Sequence, residues 1–222
     1  MERHFDEELK DLKEKLVRMS SIAEEMIEKS ITALKERRED LTAGILEKEK
    51  AINMLQIEVD DFALKLIALR QPAASDLRFI ISAIKINADL ERIGDLAINI
   101  VERTKDLLRE PPLKPLIDIP RMADITQKMV KDAIDSFINR NPVLAREICK
   151  RDDSVDNLND QIFRELLTYM LQDAKNINRA IDLMLVARHL ERIADHATNI
   201  SEDVYYMVEG RDIRHHAQDC TP

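Results

Sequence analysis

The sequence contains an internal repeat, and this repeat limits which folds are possible. Residues 89–100 read DLERIGDLAINI and residues 189–200 read HLERIADHATNI, so eight of the twelve positions are identical. Similarity at a separation of one hundred residues indicates two copies of one supersecondary unit. Each copy contains the acidic pair E-x-x-x-D. The fold must therefore present the same acidic pair twice.

The composition favours helices and places a boundary at the middle of the chain. The 222 residues include three Gly, no Trp and 4% aromatic residues, whereas sheet proteins need turn glycines and favour aromatic side chains. Proline interrupts helix interiors, and four of the seven prolines lie between Pro111 and Pro120. That segment, EPPLKPLIDIP, predicts a stiff extended linker. We therefore expect an all-α protein with one helical unit on each side of the linker.

Periodic apolar residues predict three helices before the linker and three after it. The predicted ranges are 5–38, 42–69, 75–108, 120–139, 142–171 and 176–208. Ser75 and Asn141 are expected to cap helix N-termini, and Gly210 is expected to follow the last helix. Since the connections are short, neighbouring helices should be antiparallel, and each half should form a three-helix bundle. The predicted division is a first bundle at 1–110, the linker at 111–120, a second bundle at 121–210 and a frayed tail at 211–222.

The acids extend a stripe of apolar residues along their predicted helix. Steps of four and three residues place the following side chains on one face: Leu77, Ile81, Ile84, Ala88, Glu91, Asp95 and Ile98. The same steps in the second copy pass through Arg188, which interrupts the stripe. Gly94 and Ala194 are small enough to let neighbouring helices approach closely at the motif. Because a carboxylate half-buried between helices loses hydration, it usually needs a cation or a metal as partner.

Acids on neighbouring helices are expected to converge in each half. If the second and third helices of a unit fold back on each other, residues equally distant from the connection face one another. The candidate metal ligands are then Glu49, Asn53, Glu91 and Asp95 in the first half, and Asp152, Asp156, Glu191 and Asp195 in the second. Oxygen ligands of this kind suit a hard or borderline cation, such as a divalent metal ion. Because Asn53 is neutral, the first site should bind metal more weakly, and the more strongly raised carboxyl pKa values should belong to the second.

Two other interpretations of these acids remain open. The first is that they form ordinary surface ion pairs with Arg92, Arg192 and nearby lysines, as charged residues on helices often do. His189 and His196 flank the second motif but are interpreted as polar residues without a metal role, because the first copy has no histidine there. The second alternative is a ferritin-like carboxylate bundle that binds metal. That chemistry uses Glu-x-x-His on two helices, and the sequence has no such pair.

The net charge limits the possible partners, and the hydropathy of the sequence limits the possible cellular location. The net charge of -9 argues against nucleic acid as the main partner, because phosphate binding needs a basic surface. No stretch approaches the roughly 20 apolar residues of a membrane span, and the N-terminus lacks the apolar segment of a signal peptide. We therefore expect a cytoplasmic protein. Cys149 and Cys220 do not form a disulfide framework and should be reduced thiols.

Three motifs of the chain are specific: Gln71-Pro72, Asp76-Leu77-Arg78, and LERIGD at residues 90–95, with a second copy of the last at residues 190–195. With these motifs the sequence closely resembles the PhoU family of phosphate-uptake regulators. The resemblance covers essentially the whole chain. It implies an all-helical cytoplasmic protein, commonly a homodimer, that restrains phosphate import and the phosphate-starvation response. It also implies a regulator and not an enzyme.

The same resemblance implies which proteins and metals the chain contacts. The family is expected between the ATPase subunit of the phosphate ABC transporter and a phosphate-sensing histidine kinase, so that membrane association occurs only through these partners. Some members bind multinuclear iron or zinc clusters at the acidic motifs. Here Asn53 replaces the expected acid in the first half, and residues 173–176 replace the Gln-Pro turn in the second.

Overall fold

The computed structural model describes residues 2–213, and these residues form six long α-helices. The helices are α1 (Glu2–Glu36), α2 (Asp40–Arg70), α3 (Ala74–Leu108), α4 (Asp118–Ile138), α5 (Pro142–Gln172) and α6 (Ile177–Glu209), with a short 3-10 turn at Ala174–Asn176. The predicted all-α fold class is confirmed, and none of these helices is both long and apolar enough to span a bilayer. Helix α4 begins inside the predicted linker, because Pro120 occupies its first turn, where no backbone N–H is needed. Residues 214–222, with Cys220 and most of the predicted tail, lie outside the described residues.

Two predicted helix boundaries are confirmed by their hydrogen bonds. The side chain of Asn141 accepts bonds of 3.1 Å from the backbone N–H groups of Val143 and Leu144, which have no partner within α5. At the end of α6, Gly210 adopts a left-handed φ of 68°, and its N–H donates to the carbonyl of Tyr206 (2.9 Å). Local chemistry therefore determines where α5 begins and where α6 ends.

The prediction that Ser75 caps α3 is wrong. The helix begins at Ala74, so Ser75 lies in the first turn, where it is exposed. Ala73 occupies the N-cap position and has no side-chain hydrogen bond to offer. The reason is the short connection after Pro72. Its extended geometry ends at Ala73, where ψ is 165°, so the chain has already turned into the helix when it reaches Ser75.

Each half of the chain forms a three-helix bundle, as predicted. Helix α1 packs against α2 and α3, and α4 packs against α5 and α6. The bundles join along α3 and α6, with a smaller contact between α1 and α4. Three polar pairs mark the contact between α3 and α6: Lys85 with Asp203 (2.7 Å), Asp89 with His196 (2.8 Å) and Arg103 with Asp182 (3.4 Å). Because the numbers rise along α3 as they fall along α6, the two equivalent helices are antiparallel.

The close approach predicted at Gly94 is confirmed. A Cβ atom on Gly94 would lie 3.0 Å from Ile52 Cδ1 of α2 and 3.9 Å from Met26 Cε of α1. The equivalent residue of the second half, Ala194, is fully buried. Both copies of the motif therefore place a small residue at a helix contact, directly beside the acidic pair, and a larger side chain there would force neighbouring core residues to shift.

The proline-rich linker is fixed to the bundles at several points. Lys114 is almost fully buried and pairs with Glu165 of α5. Arg179 of α6 donates a hydrogen bond of 3.0 Å to the carbonyl of Pro111. Arg37, which follows α1, donates to the carbonyl of Glu110, directly before the linker (2.6 Å). The linker is thus an ordered part of the structure and not a flexible tether.

Four helices form one side of the molecule, in the order α2, α3, α6 and α5. Helix α1 packs on the opposite side against α2 and α3, and α4 does so against α5 and α6. We call the outward side of residues 40–70, 74–108, 142–172 and 177–209 the open face. Within residues 2–213 no further helix packs over it. Side chains that these four helices direct outward are therefore accessible to other molecules.

Removing the Asn141 cap should destabilise the protein more than removing the Ser75 hydroxyl. Asn141→Ala deletes the acceptor for two N–H groups, so the free energy of unfolding should fall by about 1 kcal/mol. Ser75→Ala removes only an exposed hydroxyl, and its effect should stay within about 0.5 kcal/mol. Thermal unfolding of both variants, followed by circular dichroism, measures the difference. A larger loss from Ser75→Ala would contradict the position of the α3 cap.

Candidate functional site

The four acids of the second half come together between α5 and α6, and we call them the second cluster. Burial raises the pKa of Asp152 to about 7, and the negative charges of Asp156 and Asp195 contribute to the rise. Burial also raises the pKa of Asp156 and that of Glu191, and the charge of Asp195 adds to both. Acids on one helix therefore act on acids of the other, which requires that they share one site.

Two buried oxygen atoms of the second cluster have no hydrogen-bond partner. Arg188 donates to Oε1 of Glu191 (2.9 Å), but Oε2 of Glu191 and Oδ1 of Asp152 are buried without a partner. A buried oxygen that has lost its water and gained no donor destabilises the folded state. A proton or a cation in the second cluster would relieve this cost. The raised pKa of Asp152 means that this carboxyl already binds a proton more readily than a solvated one does.

The first half holds a related arrangement, the first cluster, around Glu91. Burial raises the pKa of Glu91, and the charges of Asp95 and, less strongly, Glu49 contribute. The side-chain oxygen of Asn53 is buried and has no hydrogen-bond partner. Arg92 lies 3.2 Å from Asp95 and 3.7 Å from Glu91. The largest rise in carboxyl pKa belongs to the second cluster, as the sequence predicts from the neutral side chain in the first.

The stripe that carries the acids is not buried between helices, contrary to the expectation from the sequence. Ile81 is 40% exposed, Ala88 is exposed and Ile84 is half-buried. The core of α3 instead uses a neighbouring stripe, in which Ile80 and Leu90 are fully buried. Adjacent residues on a helix point about 100° apart, so a stripe displaced by one position turns from the core toward the surface. The acids therefore lie at the rim of the core, on the open face.

Surface ion pairs, the first alternative interpretation, account for part of each cluster. Arg92 contacts Asp95 as expected. In the second cluster, Arg188 contacts Glu191, whereas the sequence suggested Arg192. The i, i+3 spacing explains the difference, because it places these two side chains on one helical face. Both pairing arginines are mostly exposed, so their pairs contribute little to stability and leave the clusters only partly neutralised.

The chemistry of both clusters fits a metal ion, although their side chains do not form a closed ligand set. Carboxylate and amide oxygens are the ligands that hard cations prefer. One side-chain oxygen each of Asp152, Glu191 and Asn53 is buried and accepts no hydrogen bond. Within residues 2–213, no group of three or more His, Cys, Asp or Glu side chains is arranged to hold a metal ion. Metal binding would therefore require rotation of these side chains.

Asp89 and His196 form a contact that is not among the predictions from the sequence. His196 Nδ1 lies 2.8 Å from Asp89 Oδ1, and both side chains are largely buried between α3 and α6. The signal is present in the repeat, since the two residues flank opposite copies of the motif and antiparallel packing brings them together. His189 is half-buried, its pKa is lowered by burial and by the charge of Arg192, and its Nδ1 has no hydrogen-bond partner.

Comparisons with known sequences match both halves of the chain. The family model described as PhoU domain matches residues 16–104 and 119–204. A "Phosphate-specific transport system accessory protein PhoU homolog" from Aquifex aeolicus is 43% identical over 208 residues, which is 94% of each chain. A protein of the same description from Zymomonas mobilis is 39% identical over 207 residues, 93% of this chain and 87% of that one.

Two solved structures share the fold. The crystal structure of PhoU from Pseudomonas aeruginosa has a TM-score of 0.90 and 36% identity, and the match covers 93% of this chain and all of that chain. The phosphate transport system regulatory protein PhoU from Streptococcus pneumoniae has a TM-score of 0.85 and 27% identity, with 93% and 98% coverage. These matches confirm the architecture of two helical repeats.

Neutralising Asp152 should stabilise the metal-free protein at alkaline pH but not at acidic pH. The pKa of Asp152 is about 7 in the folded protein and near 3.8 when the carboxyl is solvated. The folded state therefore binds more protons within this window, and stability falls as pH rises from about 4 to about 7. Asp152→Asn removes this loss. It should raise the free energy of unfolding at about pH 8 by about 1 to 2 kcal/mol, after allowance for solvent screening.

Denaturant titrations with a chelator, at about pH 5 and about pH 8, measure this difference. The matched control is Asp153→Asn, which removes an exposed charge from the next position on α5. It should stabilise the protein less, because water already solvates that carboxylate. Equal stabilisation by both variants, or an Asp152→Asn effect that does not grow with pH, would contradict the crowding of charge at Asp152.

Proposed function

This chain belongs to the PhoU domain family, and on that basis we propose that it regulates phosphate uptake as an accessory protein of a phosphate-specific transport system. The observation that carries the proposal is the match of the family model to both halves of the chain. The relatives from A. aeolicus and Z. mobilis are described as such accessory proteins and align over more than nine-tenths of this chain. The chain therefore contains two copies of the domain that the family model describes.

In this proposal the regulation is negative and operates through protein contacts. At high phosphate, the chain contacts the ATPase subunit of the phosphate ABC transporter and a phosphate-sensing histidine kinase, and thereby restrains phosphate import and the starvation response. It acts in the cytoplasm and reaches the membrane only through these partners. A homodimer presents each contact surface twice. Long helices with short connections support this role, because they offer extended rigid surfaces to partners.

The two acidic clusters are the proposed metal sites of this regulator. The residues that would hold iron, zinc or another divalent ion are Asp152, Asp156, Glu191 and Asp195 in the second half, and Glu49, Asn53, Glu91 and Asp95 in the first. A bound cation supplies the positive charge that these oxygens lack. The unpaired buried oxygens of Asp152 and Glu191 support this assignment. By coordinating from two helices, the carboxylates of each cluster hold that helix pair together.

Deleting the gene should derepress phosphate-starvation genes in phosphate-rich medium. The expected cause is loss of the restraint on the transporter and the kinase. Transcript levels of starvation genes at high phosphate, in the deletion strain and in the same strain carrying the intact gene, measure the effect. Unchanged expression after deletion would count decisively against a negative regulator.

A second experiment separates this role from a ferritin-like protein. The tagged chain is used to capture the purified ATPase subunit and the cytoplasmic part of the kinase at high phosphate. Recovery of either protein supports the regulator. If neither is recovered while the chain shows metal-dependent oxidase activity, the ferritin-like interpretation is the better one.

The two metal sites should fill unequally. The second cluster has four carboxylates, whereas the first has three and a neutral amide, so the second attracts a cation more strongly. Asp195→Ala should therefore lower bound metal more than Asp95→Ala, and Asn53→Asp should raise the metal content of the first site. Elemental analysis of the variants after supply of iron, zinc or manganese measures these changes.

The paired alanine variants serve as controls for each other, because each removes the last acid of an equivalent motif. Equal losses of metal from Asp95→Ala and Asp195→Ala would remove the asymmetry. Absence of metal from every variant under all three supplies would assign the clusters to surface ion pairing. Circular dichroism of each variant establishes that the helices are intact.

A further inference from the structure

Large apolar side chains are exposed on both halves of the open face. In the second half they are Phe163, Leu167 and Leu171 on α5, and Ile177, Ile181 and Leu185 on α6. In the first half they include Ile57 and Leu64 on α2, and Ile81 on α3. These positions repeat, because Leu64 follows Asn53 by eleven residues as Leu167 follows Asp156. The apolar exposure is thus a property of both repeats.

The exposed apolar residues share a helical face with the acids. Leu167 lies eleven residues after Asp156, which is about three turns of an α-helix and returns to the same side. Ile181 lies fourteen residues before Asp195, which is about four turns. On both α5 and α6, an apolar area therefore continues the surface of the acidic cluster. The first half repeats this arrangement with Leu64 and Ile81.

This surface is complementary to a partner that is both apolar and positively charged. Exposed large apolar side chains that share a helical face are typical of an interaction site, and the charges beside them select the partner. An anionic lipid surface would be repelled by the two acidic clusters. A second copy docked through the same face would bring acids against acids, which costs free energy. Lys and Arg side chains would instead pair with the carboxylates that Arg92 and Arg188 leave only partly neutralised.

We propose that the open face docks a protein partner through a basic amphipathic helix. The apolar side chains of that helix cover the exposed residues around Leu64 and Leu167, and in the metal-free protein its Lys and Arg side chains meet the two acidic clusters. This is a common way in which a helix binds to a surface formed by other helices. The inference deepens the proposed function by naming the face and the chemistry of the partner, and it rests on that function for the proteins to be tested.

The test replaces the two equivalent leucines together, first with a positively charged residue and then with a negatively charged one. The variants are Leu64→Lys with Leu167→Lys, and Leu64→Glu with Leu167→Glu. The controls are Val143→Lys and Val143→Glu. Val143 is 66% exposed on α5 and lies nine residues before Asp152, two and a half turns away, so it points to the other side of that helix. Circular dichroism and thermal unfolding verify that each variant is folded.

Binding of the purified ATPase subunit and of the cytoplasmic part of the kinase is measured with chelator-treated protein. The double Lys variant should bind at least about tenfold more weakly than the original chain, because it loses apolar contact and gains repulsion. The double Glu variant should lose less, since its added charges still attract a basic helix. Both Val143 variants should stay within about twofold of the original chain.

Each contrary outcome has a definite meaning. If the original chain binds and the double Lys variant binds equally well, the open face is not the docking surface, while the proposed function stands. A double Glu variant that binds more weakly than the double Lys variant shows an acidic partner and overturns the proposal. Changes confined to self-association in sedimentation, or to binding of anionic vesicles, overturn it in favour of a second copy or a membrane.

If the original chain binds neither protein, the proposed function fails and a synthetic probe decides the inference. That probe is an amphipathic peptide of Leu and Lys, about five helical turns long. The proposal requires the double Lys variant to bind this peptide at least about tenfold more weakly than Val143→Lys does. Equal binding by these two variants overturns it.

Discussion

The packing of α3 against α6 determines where the other features of this protein lie. These two helices carry both copies of the repeated motif, and they meet as equivalent, antiparallel partners. Their contact includes the Asp89 and His196 pair and the Lys85 and Asp203 pair, which fix the register. Because the two helices are equivalent and bury equivalent faces, both acidic clusters lie on the open face. The outer helices α2 and α5 then complete the clusters from either edge.

The acidic clusters oppose folding, and this makes a purely structural role hard to explain. Burial and like charge raise the pKa of Asp152 to about 7, so at neutral pH the folded protein carries a carboxyl that resists ionisation. Folded proteins have little stability to spare, and a hydrophobic or neutral residue in this position would be more favourable. Strongly perturbed pKa values cluster at functional sites, and a bound cation would offset the negative charge that is crowded here. The proposed metal sites and the proposed docking of basic side chains both rest on this one electrostatic imbalance.

The sequence predicts the architecture well, because repetition, proline positions and helical periodicity are local signals. The cap at Asn141 and the end of α6 at Gly210 follow from the chemistry of single residues. Ser75 fails as a cap because the geometry after Pro72, and not the preference of Ser, decides where α3 begins. The prediction that the apolar stripe beside Glu91 lies in the core fails for a related reason. Periodicity shows that residues share a face but does not show which of two adjacent faces meets another helix.

The fixed linker allows the sequences of the two halves to change independently. Antiparallel packing of equivalent helices is the geometry of a symmetric homodimer, and the linker, with Lys114 buried against Glu165, turns that contact into an intramolecular one. In a homodimer every substitution occurs in both copies at once. In a single chain the copies can diverge, as Asn53 and Asp156 have done at equivalent positions. Fusion of the repeats therefore allows two acidic sites of unequal charge to exist within one nearly symmetric scaffold.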